Sequence, residues 1–199
     1  DYLHDVDAFV AKLSQDGVAG EQLFLVGHSM GGLIAALWAA SHGRLLAGLV
    51  LSSPYFALAT KPSAGKVLAA KLVGRVVPWL PISTGLQMAQ LTSDPELQRW
   101  TDRDPLYGRA TTPRWFEEAN RAQREVLRSA ARIEMPLLVL AGGADPIADV
   151  SAARAFVAAA QARDKRIVVY DGFRHEIFNE VRREQPIGEA VAWLTQHAR

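Results

Sequence analysis

Four short runs of apolar residues, none of which alternates with polar residues, limit the folds open to this chain. They lie at residues 23–26, 46–51, 137–140 and 167–170. Such runs are typical of strands buried on both faces of a parallel sheet, because a half-exposed strand would alternate. Apolar residues at helical spacing flank them, at residues 3–13, 33–38, 151–162 and 187–197. Strands alternating with helices predict an α/β fold with a mainly parallel sheet.

The segment between the second and third strands is far longer than one crossover helix requires. We therefore expect a core formed by residues 1–54 and 133–199, with a helical cap inserted at residues 55–132. Within the insertion, residues 66–77 mix apolar side chains with Lys66, Lys71 and Arg75. A helix of this composition can pack on a core or contact a lipid surface, and both interpretations stay open.

Charge and cysteine content exclude several classes of function. The 199 residues carry 22 Lys and Arg against 21 Asp and Glu, a formal net charge of +1. This balance argues against a nucleic-acid partner, because such binding requires a surplus of basic residues. The absence of cysteine excludes disulfide scaffolds, cysteine nucleophiles and thiolate metal sites. No HExxH motif and no GxGxxG motif after a strand is present, so we expect neither a metal nor a nucleotide cofactor.

One uncharged stretch, residues 22–43, is long enough to cross a bilayer. Its middle holds three glycines beside His28 and Ser29, which favours a sharp turn over a membrane span. We therefore expect a soluble protein. A cytoplasmic location is the default, with transient contact to a membrane surface through the insertion as a further expectation.

The most specific motif is Gly27-His28-Ser29-Met30-Gly31, between the first strand and the first internal helix. A serine at a strained strand-to-helix turn projects its hydroxyl at the carboxyl edge of the sheet. The small flanking glycines allow strand and helix to approach each other, and the Met30 backbone N–H points where an oxyanion would form. Ser29 could instead be only the N-cap of the following helix, so the functional interpretation depends on partners further along the chain.

Two candidate partners follow the third and fourth strands. Asp145 comes after the third strand, and His175 after the fourth. This order, serine then acid then histidine, is the order found in α/β-hydrolases. Each residue alone could be an ordinary loop residue. Asp149 is the nearest rival acid, but its position better suits an N-cap for the helix at 151–162.

With these residues in place, the chain resembles the cap-bearing α/β-hydrolases, and within them the monoacylglycerol lipase and lysophospholipase group. The resemblance spans the chain and rests on the following segments: Gly27-His28-Ser29-Met30-Gly31-Gly32, Asp104-Pro105-Leu106, and residues 135–149 and 170–180. It implies a serine hydrolase that cleaves a carboxylic ester of a single-acyl-chain lipid through an acyl-enzyme. Ser29 would be the nucleophile, Asp145 the acid and His175 the base, beneath an apolar cap.

The chain departs from this family before Ser29. In the family, several strands and a His-Gly loop that completes the oxyanion hole precede the nucleophile, whereas here a single helix does. We therefore expect the carboxyl portion of a hydrolase, with an N-terminal segment or a second chain completing the sheet. Loss of one oxyanion donor costs about 10² to 10³ in rate. A non-catalytic lipid-binding fragment thus stays as an alternative. A small-ester esterase or thioesterase is a further alternative, because the cap, which shapes the substrate pocket, is the part of this family that varies most.

Overall fold

The computed structural model describes residues 1–18, 22–60, 65 and 72–198, and within them a four-stranded parallel sheet with helices on both faces. The strands are β1 (Phe24–His28), β2 (Gly48–Ser52), β3 (Ile82–Ser83), β4 (Ala110–Thr111), β5 (Leu137–Gly142) and β6 (Lys165–Tyr170). The helices are α1 (Tyr2–Gln15), α2 (Met30–His42), α3 (Met88–Leu91), α4 (Pro95–Arg103), α5 (Pro113–Ser129), α6 (Val150–Ala159) and α7 (Glu184–His197). The fold class expected from the sequence is confirmed.

The main sheet has the strand order β1-β2-β5-β6. Successive residues of β2 and β5 point to opposite faces, as a strand requires. Leu49 and Leu137 pack in a core with α2 and α6 on one face. Val50 and Leu138 pack on the other face with Trp193 of α7. Both inner strands are thus covered on both faces, which explains their continuous apolar runs.

The two outer strands, β1 and β6, differ from this expectation. No residue of the run at 167–170 in β6 is fully buried, so the prediction that this run is buried on both faces is wrong. The prediction that the run at 23–26 is buried on both faces is wrong, because β1 lies at the edge of the described sheet. Val26 is 53% exposed. Phe24, two residues earlier on the same strand, packs edge-on against the Trp193 ring. The expectation that another segment or chain pairs with β1 stays a prediction.

Side chains at the helix starts explain where several helices begin. Thr112 accepts a hydrogen bond from the Trp115 backbone N–H at the start of α5, where Pro113 follows the cap. The Asp94 carboxylate accepts bonds from the first turn of α4 in the same way. These caps satisfy backbone donors that have no partner within the helix. They fix the residues at which α4 and α5, two helices of the insertion, begin.

The insertion lies between β2 and β5 and contains α3, α4, α5 and the antiparallel pair β3–β4. The helix expected at 66–77 falls mostly outside the described residues, and residues 72–76 are helical. Val126 of α5 is fully buried in the same core as α2. The Gln123 side-chain amide donates to the Tyr55 carbonyl. These contacts hold α5 beside the carboxyl ends of the strands.

Over the part of the chain that is described, the helices are too short or too polar to cross a bilayer. The uncharged stretch at 22–43 is divided between β1 and α2, which meet at Ser29.

Candidate active site

Ser29 occupies the turn between β1 and α2 in a strained conformation. Its φ is 52° and its ψ is −118°. Non-glycine residues rarely adopt positive φ, and such strain persists only when the surroundings hold it in place. Here the Ser29 N–H donates to the Ser52 carbonyl, and the Ser29 carbonyl accepts from the Leu33 and Tyr55 N–H groups. The backbone of this residue is therefore fixed on both sides.

The glycines around Ser29 have different roles. A Cβ atom on Gly27 would lie 2.5 Å from the Gly31 carbonyl oxygen, and one on Gly32 would lie 3.1 Å from Pro54 Cβ. A Cβ on Gly31, in contrast, would have nothing within 4 Å. The close approach of strand and helix thus requires glycine at position 27. Gly31 contributes its backbone carbonyl to this contact, whereas a side chain at position 31 would point into open space.

His175 lies within hydrogen-bond distance of both other residues singled out from the sequence, Ser29 and Asp145. His175 Nε2 is 2.8 Å from Ser29 Oγ, and His175 Nδ1 is 2.8 Å from Asp145 Oδ2. The side chains of His175 and Asp145 are 5% and 1% exposed. A neutral imidazole that donates through Nδ1 to a carboxylate presents Nε2 as an acceptor toward the hydroxyl. This arrangement can activate a serine.

The loop after β5 holds the Asp145 carboxylate in one orientation. Its Oδ1 accepts hydrogen bonds from the Ile147 and Ala148 backbone N–H groups, at 2.8 and 3.0 Å. Its Oδ2 is left for His175. The rival acid Asp149 instead accepts from the Ser151 N–H and caps α6, as the sequence indicates.

Met30 is the first residue of α2. A backbone N–H at that position has no acceptor four residues earlier within the helix. The positive end of the helix adds a favourable potential for negative charge. The Met30 N–H next to Ser29 therefore has the right character for an oxyanion donor.

His28 adds a second imidazole to the site. Its ring centroid lies 5.0 Å from that of His175, and its Nδ1 lies 3.1 Å from Ser52 Oγ. Burial of the ring, and to a smaller extent repulsion from His175, lowers the pKa of His28 to about 4. His28 nevertheless keeps part of its surface exposed to solvent. His28 is thus neutral near pH 7 and adds no charge beside the base.

A cavity of about 480 Å³ opens onto Ser29 and His175. Most of its wall is apolar and is contributed by the insertion and the loops after β2 and β5. These side chains are Leu58, Leu86, Leu91, Trp115, Phe116 and Ile147. The described lining contains no lysine or arginine. The cavity therefore suits an apolar group that carries no negative charge.

Glu176 and Tyr107 line the same cavity, and neither was assigned a role in the site from the sequence. The Asn179 side-chain amide donates to Glu176 Oε2. Burial, and to a smaller extent the Glu176 carboxylate, raises the pKa of Tyr107, while Arg109 acts in the opposite direction. The sequence signal that could have identified Glu176 as a site residue is its position directly after His175. Only the fold shows that Tyr107, from the insertion, lines the same wall.

Comparison with known proteins agrees with this geometry. The family model described as "Serine aminopeptidase, S33" matches residues 1–182. The chain belongs to this family. It is 30% identical to "Phospholipase YtpA" of Bacillus subtilis over 99% of the chain and 76% of that protein. It is 34% identical to human "Monoglyceride lipase" over 90% of the chain and 59% of that protein.

A solved structure supports the same relationship. The crystal structure of Paleococcus ferrophilus monoacylglycerol lipase superposes with a TM-score of 0.88 at 30% identity, covering 98% of this chain and 74% of that one. The resemblance to monoacylglycerol lipase-like α/β-hydrolases is confirmed. The names of these relatives agree with the expected enzyme class, a carboxylic ester hydrolase. The chain spans about three fifths of the human relative's length and about three quarters of the bacterial one's.

Proposed function

We propose that this protein hydrolyses the carboxylic ester of a lipid with a single acyl chain, with monoacylglycerol as the preferred class. The observation that carries the proposal is the pair of 2.8 Å contacts linking Ser29, His175 and Asp145, beside an apolar cavity that Ser29 and His175 line. Such an arrangement combines an activated nucleophile with a binding site for an acyl chain. The names of the relatives support the same class.

The proposed reaction has two steps. Ser29 Oγ attacks the ester carbonyl while His175 Nε2 takes its proton, and Asp145 stabilises the imidazolium. The negative charge on the carbonyl oxygen is stabilised by the Met30 N–H. The tetrahedral intermediate then expels the alcohol, which takes the proton from His175. Water attacks the acyl-enzyme by the same route and releases the fatty acid together with free Ser29.

The cavity lining favours an uncharged head group. Glu176 is a carboxylate, and hydroxyl groups come from Thr60, Thr84, Thr111 and Tyr107. A lysophospholipid would bring a phosphate near the carboxylate, with no described lysine or arginine in the lining to offset the repulsion. The hydroxyls of a glycerol head can instead bond to Glu176 and to these side chains. Monoacylglycerol therefore fits better than an anionic lysophospholipid.

We also propose that residues 55–132 act as a cap with an apolar outer surface for lipid. Val76 and Trp79 are 75% and 71% exposed, and Leu80 is exposed beside them. Arg75 is exposed in the same segment and can pair with lipid phosphates. This combination is typical of an interfacial contact.

A second candidate is an aminopeptidase, which the family description and the carboxylate of Glu176 favour. A carboxylate near the nucleophile can pair with the free ammonium group of a peptide. Amino-acid anilides test this candidate directly. The small-ester esterase and thioesterase alternatives are tested with esters and thioesters of increasing acyl length.

The first test is hydrolysis of monoacylglycerol by the purified protein and by its Ser29→Ala variant. Intact mass after a serine-directed fluorophosphonate supplies a readout independent of the substrate. We expect turnover and one adduct, both abolished in the variant. Turnover that survives Ser29→Ala would refute the mechanism. Binding of lipid by folded protein without turnover or labelling would support the non-catalytic alternative.

A further inference from the structure

Glu180 is a buried carboxylate that the reaction does not use. It is 2% exposed. Both of its oxygens accept from the Ser93 backbone N–H at 3.1 Å, and Oε2 also accepts from the Ser93 hydroxyl. Oε1 accepts from the Arg174 backbone N–H at 2.8 Å. One carboxylate therefore joins two segments, at Ser93 and Arg174, that are 81 positions apart in the chain.

One of these segments contains the candidate base. Arg174 directly precedes His175, and no helix or strand lies between Tyr170 and Ile177 in this described loop. The backbone of such a loop has no ladder of hydrogen bonds to hold it. The bond from the Arg174 N–H to Glu180 fixes the peptide next to His175.

The other segment forms a wall of the cavity. Leu91 is buried and lines the cavity, and Ser93 follows it two residues later. Further hydrogen bonds run along the same contact. The Glu176 N–H donates to the Leu91 carbonyl at 2.7 Å, and the Thr92 hydroxyl donates to the Asn179 carbonyl at 2.7 Å. Segment 91–93 of the insertion therefore lies directly along the loop of residues 171–176, which carries His175 and is called the histidine loop below.

The carboxylate supplies the charged acceptor in this contact. Hydrogen bonds to an ionised group are about twice as strong as neutral ones. Removing the charge would weaken the bonds to the Ser93 and Arg174 donors, and removing the side chain would leave buried donors without an acceptor. Catalytic side chains must be held within about 0.5 Å of the productive geometry. Weakening this contact should therefore displace His175 from its catalytic geometry while the core stays folded.

We propose that Glu180 is a positioning residue that fixes the histidine loop and cavity-wall segment 91–93 relative to each other. The base and the acyl-binding wall then keep one geometry through the reaction. This inference rests on the proposed ester hydrolysis for its kinetic consequence. The bonds that carry it are present whatever the substrate.

The test compares Glu180→Gln with Glu184→Gln, which removes an exposed carboxylate at the start of α7. Turnover of a p-nitrophenyl ester is normalised to sites titrated with a fluorophosphonate, so that only folded, competent molecules count. We expect kcat per site to fall about 10- to 100-fold in Glu180→Gln with KM little changed, because a small displacement of a catalytic group has effects of this order. Glu184→Gln should match the wild type. A Glu180→Gln protein with a lower melting temperature but wild-type kcat per site would overturn the proposal.

A second measurement does not depend on activity. The proton shared by His175 Nδ1 and Asp145 gives a downfield NMR resonance when the two side chains are held together. We expect this resonance to broaden or shift in Glu180→Gln and to stay unchanged in Glu184→Gln. An unchanged resonance in both variants would overturn the proposal. Absence of ester turnover in the wild type would refute the proposed function, while the NMR comparison would still decide the role of Glu180.

Discussion

The Nε2 atom of His175 lies 2.8 Å from the Oγ atom of Ser29, although 146 positions separate the two residues in the chain. The contact exists because β1 and β6, which precede these residues, run parallel in one sheet and end at the same edge. Asp145 follows β5, which lies between β1 and β6 in the sheet, and its carboxylate contacts the other nitrogen of the His175 ring.

The contact between Asp145 and His175 predicts a large loss of activity in the Asp145→Asn variant. The amide no longer stabilises the imidazolium and permits the wrong tautomer of His175. We expect kcat to fall by about 10⁴, with little change in the melting temperature. Steady-state kinetics and thermal unfolding check this expectation. Asp149→Asn serves as the control, because Asp149 caps α6 and does not contact His175. A similar rate loss in both variants would contradict the assignment of the acid.

The two glycines beside Ser29 predict opposite outcomes for alanine. Gly27→Ala would place Cβ 2.5 Å from the Gly31 carbonyl oxygen, so we expect a loss of about 1 to 3 kcal/mol in the free energy of unfolding. Gly31→Ala meets open space inside a helix, so we expect unchanged or higher stability. Urea unfolding of both variants measures the difference. Equal losses would show that Gly31 is constrained by something other than space.

Glu176 predicts selection against anionic head groups. Glu176→Gln removes the negative charge and keeps the size of the side chain. We expect the ratio of kcat/KM for monoacylglycerol to that for lysophosphatidate to fall by up to about tenfold, because repulsion between charges near a surface is of this order. A p-nitrophenyl ester of the same acyl chain is the control, and its hydrolysis should change little. An unchanged ratio would show that Glu176 does not contact the head group.

His28 predicts a pH dependence of stability. Its pKa is lowered to about 4 in the folded protein, against an ordinary value of 6.5. The unfolded chain therefore binds more protons between these values, and stability falls as the pH decreases from about 6.5 to about 4. Urea unfolding of the wild type and His28→Asn across this range measures the contribution. The variant should lose less stability in that window, and parallel curves would rule out His28 as the cause.

The exposed face of the insertion predicts binding to lipid vesicles. The chain has five tryptophans, so the Trp79 spectrum is taken as the difference between the wild type and Trp79→Phe. We expect this spectrum to shift to shorter wavelength on addition of vesicles containing anionic lipid, because the indole leaves water. Val76→Asp should weaken this binding and leave hydrolysis of a dissolved ester unchanged. Trp100→Ala is the control, since Trp100 is also exposed but lies on α4. An unshifted Trp79 spectrum, or equal vesicle binding by Val76→Asp and the wild type, would contradict the proposal.

Much of the fold could be predicted because its signals are local. The apolar runs of β2 and β5 follow from burial on both faces, and the glycines at the Ser29 turn follow from the backbone geometry of that turn. The order of Ser29, Asp145 and His175 could be read because each follows a strand, and parallel strands end at one edge. The exposed face of β1 could not be predicted, since Val26 belongs to an apolar run like the others.

The sequence by itself determined the α/β architecture, the strained serine and the three residues that the structure brings together. The tertiary structure alone decided what surrounds them. Glu176 and Tyr107 share a cavity wall, and Glu180 joins Ser93 to Arg174, because the insertion folds back over the ends of the strands. Repeating patterns report the secondary structure around each residue. Contacts between segments so far apart in the chain depend on how those elements pack, and no local pattern encodes them.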